Sequence, residues 1–139
     1  MDLAYLITPF IAWLIAGCSK FAINCIREKR LAFDLIGYGG LPSNHSAIVT
    51  SAAALVALRE GIGHPAFGVA VALCYIVMLD ANSLRIKVGL QAQRINELTK
   101  GSEHKPLRER MGHTKVEIFA GAIVGVITAY LVFLVNPTL

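Results

Sequence analysis

Long apolar runs constrain the fold of this chain more than any other feature of its sequence. A helix needs about 20 residues to cross the hydrocarbon core of a bilayer. Four runs approach that length, at about 3–26, 43–58, 65–79 and 116–135. Charged residues make up only 16% of the chain, against about 25% in soluble domains. We therefore predict an all-α integral membrane bundle of about four transmembrane helices, in a single domain over residues 1–139.

The polar segment between the third and fourth runs has helical periodicity. The residues that repeat at helical spacing are Leu84, Val88, Gln91, Ile95 and Leu98. Arg85, Lys87 and Arg94 do not follow this spacing. This pattern predicts an amphipathic helix that lies on the membrane surface.

The cations are distributed unevenly between the two sides of the predicted bundle. Of the 13 Lys and Arg residues, only Arg59 lies opposite the loops at 27–42 and 81–115, if Lys20 is counted as reaching toward those loops. The positive-inside rule makes that side cytoplasmic. A net charge of +4 beside membrane spans favours anionic lipids or a phosphorylated substrate as partners over nucleic acid. The three cysteines have no metal-binding or disulfide spacing.

A glycine-bearing loop at 37–42 leads into a predicted helix start. Pro42 followed by Ser43 marks a helix N-terminus with Ser43 as the N-cap. Gly40 lets the backbone approach a ligand closely, and the free N–H groups of a first helical turn favour an anion. His45 would then lie beside that anion. An ordinary capped helix with an interfacial histidine explains the same residues.

A second histidine lies at the start of the last apolar run. His113 and Glu117 are four residues apart, so a helix containing both would put the carboxylate beside the imidazole and make it a better nucleophile or base. Alternatively, Thr114 and Glu117 form a capping box, with Glu117 bound to the Thr114 backbone. The two roles of Glu117 do not exclude each other.

Charged residues also occur at the ends of the first and third spans. Lys20 and Arg27 are seven residues apart, close to two helical turns, so both project from one face. A stop-transfer cluster explains Lys29 and Arg30 better than it explains Lys20, which lies deeper. At the end of the third span, Asp80 either orients a basic side chain such as Arg85 or is a plain helix-end charge.

Three blocks of these residues resemble the divergent branch of the phosphatidic acid phosphatase type 2 superfamily, which is related to vanadium-dependent haloperoxidases. The blocks are residues 40–47, residues 77–81, and 112–114 together with Glu117. The first family motif pairs a lysine with an arginine seven residues later and then a proline; Lys20 and Arg27 match it, without the proline. The second motif is Pro-Ser-Gly-His, which is similar to 42–45 with Asn44 in place of glycine.

The third family motif is Ser-Arg, five residues, His, three residues, Asp. His113 and Glu117 match its end, with Glu for Asp. Leu107 occupies the arginine position, so the resemblance implies that Arg108, Arg110 or Arg85 supplies this cation.

The resemblance implies hydrolysis of a phosphate ester through a phosphohistidine, with no metal and no cofactor. His113 would attack phosphorus, Glu117 would orient it, and His45 would protonate the leaving alcohol. The expected phosphate-binding residues are Lys20, Arg27, Ser43, Asn44, Arg85 and Arg108, and the expected supporting residues are Asp80 and Gly40. The substrate would be a lipid phosphate whose tail stays in the bilayer, with its headgroup reached from the cytoplasm.

Two further expectations follow from the same comparison. A non-catalytic module that binds or transports lipid phosphates is the alternative to a phosphatase. Membrane members of the superfamily typically have six spans. We therefore predict a homodimer that buries the small-residue face of the second span or that of the fourth, which carries Gly121 and Gly125.

Overall fold

The computed structural model describes residues 3–33, 40–101 and 103–137, and every regular element in these ranges is helical. The elements are α1 (Ala4–Glu28), α2 (Asn44–Glu60), α3 (Pro65–Leu79), a π-helical turn (Asp80–Leu84), α4 (Arg85–Leu98) and α5 (Lys115–Val135). The all-α prediction is confirmed. Residues 37–39 of the predicted glycine loop lie outside the described ranges.

Three helical stretches in the described part of the chain are long and apolar enough to cross a membrane. They are Ala4–Glu28, Pro65–Leu98 and Lys115–Val135. The second predicted span corresponds to α2, which has only 17 residues. The chain is therefore an integral membrane protein with three candidate spans by length and composition.

The third apolar run does not end in a loop, because α3 continues through the π-helical turn into α4. Together they form one helical stretch of 34 residues, Pro65–Leu98. The helix predicted from the periodicity of 84–98 is therefore present. Its apolar residues, such as Leu84 and Ile95, are exposed, while its buried residues are Gly89 and Ala92. Its location on the membrane surface stays a prediction.

Helix α2 lies at the centre of the bundle, where it packs against α1, α3 and, most extensively, α5. A Cβ atom on Gly121 would lie 2.3 Å from the Ser43 carbonyl oxygen, and one on Gly125 would lie 2.6 Å from that of Ala47. No side chain fits at such distances, so the two glycines let the backbones of α2 and α5 touch. This small-residue face of α5 is thus already occupied within the chain, and a homodimer would need another surface.

A polar cluster joins the helices at the end of the bundle opposite the start of α2. The Tyr5 hydroxyl donates to Glu60 Oε1 at 2.6 Å, and the Arg59 guanidinium lies 5.1 Å from the centre of the Tyr5 ring. Arg59 also donates to the carbonyl oxygen of Asn136. These contacts connect the first turn of α1, the last turn of α2 and the end of α5.

The contact between α2 and α5 predicts a difference between two glycine substitutions. Gly121→Ala should lower the free energy of unfolding by about 1–3 kcal/mol, since the added methyl group overpacks the interface. Gly68→Ala in α3 is the matched control, because a Cβ there meets nothing within 4 Å. Thermal unfolding in detergent measures both. Equal stabilities of the two variants would contradict the close packing of α2 on α5.

Candidate functional site

A cavity of about 590 Å³ lies where α1 approaches its end and α2 and α5 begin. Its charged, amide and histidine lining residues are Lys20, Asn24, Asn44, His45, Arg85, Arg108 and His113. Its apolar lining includes Trp13, Leu14, Phe21, Phe33, Ile48 and Met111. The cavity therefore has both a cationic, histidine-bearing part and an apolar part.

The two histidines that were predicted to be catalytic, His45 and His113, both line this cavity, although they are far apart in the sequence. Their ring centroids are 5.8 Å apart, with an angle of 60° between the ring planes. The Ser43 N–H donates to the Glu117 carbonyl at 2.9 Å, which holds the first turn of α2 against the first turn of α5. The His113 N–H donates to the Ala81 carbonyl at 2.9 Å. His45 and His113 are thus positioned by the contact between two helix starts.

Glu117 forms the predicted capping box and also lies beside His113, although His113 precedes the helix Lys115–Val135. Its Oε2 atom accepts a hydrogen bond from the Thr114 N–H at 2.8 Å, and the Thr114 hydroxyl accepts from the Glu117 N–H at 3.3 Å. The same Oε2 atom lies 3.4 Å from His113 Nδ1. That distance permits an ion pair with a protonated imidazole, although Nδ1 has no aligned hydrogen bond. The capping box therefore fixes the carboxylate beside His113.

Burial and charge together set the protonation state of His113. Burial lowers the pKa of His113 below its ordinary value, and the Lys20 ammonium lowers it further, while the Glu117 carboxylate acts in the opposite direction. The imidazole is consequently neutral at neutral pH. A neutral imidazole keeps the lone pair that a nucleophile or a base needs.

Two of the lining cations contact neighbouring residues, and the sequence had indicated one of these contacts, that of Asp80 with Arg85. The Lys20 side chain is only 9% exposed, and a Cβ on Gly40 would lie 4.0 Å from its methylene groups. Arg85 Nε lies 3.1 Å from Asp80 Oδ2. Gly40 thus lies against the stem of Lys20, and Asp80 orients the guanidinium of Arg85.

Two residues predicted to bind phosphate do not line the cavity. Arg27 is exposed, since seven residues of α-helix place it about 10 Å along the axis from Lys20. Ser43 is fully buried, and its hydroxyl accepts from the Ser46 N–H at 3.4 Å and from the Ser46 hydroxyl at 3.1 Å. Ser43 is therefore an N-cap as predicted, but its side chain does not face the cavity.

Three buried polar atoms of the cavity residues have no hydrogen-bond partner. They are Asn44 Oδ1, His45 Nδ1 and His113 Nδ1. Buried polar groups in proteins are nearly always paired. Because His113 Nδ1 lies 3.4 Å from Glu117 Oε2, only Asn44 Oδ1 and His45 Nδ1 are left for a polar ligand among these three atoms. Among the described residues, no group of three or more His, Cys, Asp or Glu is arranged to hold a metal ion.

Several residues of the site were not recognised in the sequence. Phe21 and Phe33 form part of the wall, with ring centroids 5.0 Å apart, and Asn82 donates its side-chain N–H to the His113 carbonyl at 3.1 Å. The aromatic residue next to Lys20 was a usable signal. Asn82 gave no such signal in the sequence, because the residue that it contacts, His113, lies 31 residues further along the chain.

Fold and site together define a helical membrane protein whose bundle encloses a cationic cavity with two histidines. The sequence matches the family described as the Divergent PAP2 family over residues 1–128, and the chain belongs to that family. It is 32% identical over 140 aligned residues to the uncharacterized membrane protein YuiD of Bacillus subtilis (strain 168), covering 88% of this chain and 89% of that protein. No solved structure matches it.

The charges around His113 predict how its titration responds to substitution. Lys20→Met should raise the pKa of His113 because a neighbouring positive charge is lost, and Glu117→Gln should lower it because a negative charge is lost. Arg94→Gln is the control, since Arg94 is exposed and pairs with Glu97. NMR titration of labelled histidine measures these shifts. Identical titration of all variants would show that the three side chains are not neighbours.

Proposed function

We propose that the protein is a membrane phosphatase that hydrolyses a phosphomonoester or diphosphate of a lipid through a phosphohistidine on His113. One observation carries the proposal: two imidazoles from distant segments lie 5.8 Å apart in a cavity also lined by Lys20, Arg85 and Arg108. Membership of a PAP2-related family supports the same chemistry.

The proposed reaction proceeds in two displacements at phosphorus. His113 Nε2 attacks phosphorus, the bond from phosphorus to the lipid oxygen breaks, and His45 gives its proton to the leaving oxygen. Water then attacks the phosphohistidine, giving its proton to His45, and the P–N bond breaks to release phosphate. Glu117 stabilises the positive charge that His113 acquires on attack.

The cations of the cavity stabilise the charge that gathers on the phosphoryl oxygens. Lys20 and Arg85 reach the cavity from α1 and α4, and Arg108 reaches it from the segment before α5. Groups fixed in advance around a developing charge contribute more than groups that must reorganise. In this proposal Arg85 and Arg108 replace Arg27, and Asn44 supplies a polar contact from the first turn of α2.

The apolar part of the cavity supports a substrate with a hydrocarbon tail. Trp13 and Leu14 line the cavity and lie about two helical turns, or about 10 Å, before Lys20 on α1. Both are more than half exposed, so this part of the cavity adjoins the lipid region. A phosphate held near the histidines would leave its lipid tail beside α1 in the bilayer.

The proposed topology has α2 as a fourth span, enclosed by the other helices. Its 17 residues would extend for about 26 Å, close to the hydrocarbon thickness. The catalytic cavity then opens on the cation-rich, cytoplasmic side, with α4 at the membrane surface. Assembly as a homodimer remains part of the proposal, through a surface other than the glycine face of α5.

Substitution of the proposed nucleophile tests the reaction directly. His113→Ala should abolish phosphate release from a panel of phosphatidate, phosphatidylglycerophosphate and isoprenoid phosphates, because no phosphohistidine can form. His104→Ala is the matched control, since His104 is exposed and does not line the cavity. Unchanged turnover by the His113 variant would rule out the assigned nucleophile.

The position of Arg27 outside the cavity favours the alternative, a module that binds or transports lipid phosphates without hydrolysing them. Rapid quenching with ³²P-labelled substrate separates the two functions. A phosphatase should give an acid-labile, base-stable phosphohistidine at His113, and His45→Ala should make this intermediate accumulate more slowly. Saturable substrate binding without any labelled protein would support the non-catalytic module instead.

A further inference from the structure

One face of the helix at 80–98 presents three residues at seven-residue spacing. They are Asn82, Gly89 and Asn96. Seven residues are close to two helical turns, so such residues recur on one side of a helix. All three contact the segment at 107–113, which runs back along the helix toward the cavity and is called the return segment below.

Asn96 holds the beginning of the return segment. Its side-chain carbonyl accepts from the Leu107 N–H at 2.8 Å, and its side-chain N–H group donates to the Leu107 carbonyl at 2.8 Å. The same group donates to Glu109 Oε1 at 2.8 Å. One side chain thus pairs both backbone groups of Leu107, in the manner of a neighbouring strand.

Gly89 and Asn82 hold the rest of the return segment. A Cβ on Gly89 would lie 2.3 Å from the Glu109 carbonyl oxygen, so only glycine allows the segment to lie against the helix here. Asn82 then donates to the His113 carbonyl at 3.1 Å. The contacts run in order along both partners: Asn96 with the start of the segment, Gly89 with its middle and Asn82 with its end.

The return segment carries cavity residues but has no regular structure of its own. Arg108, Met111 and His113 line the cavity, and residues 103–113 contain no helix. Without the contacts to the helix face, ordering such a segment would cost backbone conformational entropy that nothing repays. The three-residue face supplies the interactions that offset this cost.

We propose that Asn96 and Gly89 are positioning residues that present Arg108 to the substrate phosphate by holding the return segment against the helix. The proposal rests on the phosphatase function, in which Arg108 is one of the phosphate-binding cations. It accounts for a cation at the cavity although Leu107 occupies the position of the family's arginine. Asn96 acts only through Arg108 and does not itself line the cavity.

Limited proteolysis tests the contact without requiring activity. In Asn96→Ala, trypsin should cleave after Arg108 and Arg110 roughly tenfold faster relative to cleavage after Lys100, since the hydrogen bonds to Leu107 are lost. Gln91→Ala is the matched control, because Gln91 is an exposed amide on the same helix but on another face. Equal cleavage ratios in both variants and the unsubstituted protein would overturn the proposal.

Kinetics then test whether the contact serves phosphate binding. Asn96→Ala should raise KM about five- to tenfold with a smaller effect on kcat, whereas Gln91→Ala should change neither. In an Arg108→Ala background the same Asn96 substitution should have little further effect, because in this proposal Asn96 affects phosphate binding through the position of Arg108. Fully additive effects would show that Asn96 acts independently of Arg108 and would overturn the proposal.

The proteolysis and kinetic experiments allow this proposal and the phosphatase function to be tested separately. Absence of phosphate release by the unsubstituted protein contradicts the function. The proteolysis ratio still decides whether Asn96 holds the return segment. Gly89→Ala gives a second variant, and it should raise cleavage after Arg108 and Arg110 as Asn96→Ala does.

Discussion

The backbone contact between α2 and α5 is the constraint on which the site depends. Gly121 lies so close to the Ser43 carbonyl that no side chain fits between them. The Ser43 N–H donates in turn to the Glu117 carbonyl. Because Ser43 precedes His45 by two residues and Glu117 follows His113 by four, this contact brings both imidazoles to one place. A larger separation of the two helices would move the histidines apart.

The long helix Pro65–Leu98 provides the other half of the scaffold. Its π-helical turn offers the Ala81 carbonyl to the His113 N–H and places Asp80 against Arg85. Widened turns of this kind occur frequently at functional sites. One continuous element therefore contacts His113 and carries Arg85, while α2 and α5 position the histidine pair. The cavity lies where these two arrangements meet.

The structural features that the sequence predicted correctly depend on interactions between residues close together in the chain. The capping box of Thr114 and Glu117 and the N-cap at Ser43 depend on residues within one helical turn, and both are present. The positions of the histidines followed from helix starts assigned to one membrane side. In each case a short sequence pattern fixes the geometry without knowledge of distant contacts.

The differences between the sequence predictions and the structure concern distances and the path of the chain. Helical spacing places Lys20 and Arg27 on one face, but it does not say how far along the axis the cavity extends, and Arg27 lies beyond it. Nor could the polar segment after Leu79 reveal that the helix continues without a loop, since a π-helical turn has no clear sequence signature. The face formed by Asn82, Gly89 and Asn96 was overlooked because its residues are recognisable only with the return segment in place.

A cavity that gathers Lys20, Arg85 and Arg108 beside two histidines carries an excess of positive charge that an anion would balance. Binding of such an anion stabilises the folded state by mass action. The charge of the cavity lining thus supports the proposed phosphate ligand.

An experimental structure of the protein in lipid with bound orthovanadate tests the central claim most directly, because vanadate adopts the five-coordinate geometry of phosphoryl transfer. The account predicts vanadium bonded to His113 Nε2, with His45 in hydrogen-bond contact with the opposite, apical oxygen and Lys20 beside the equatorial oxygens. Vanadate bound elsewhere, or His45 and His113 too far apart to contact one vanadium centre, would contradict it.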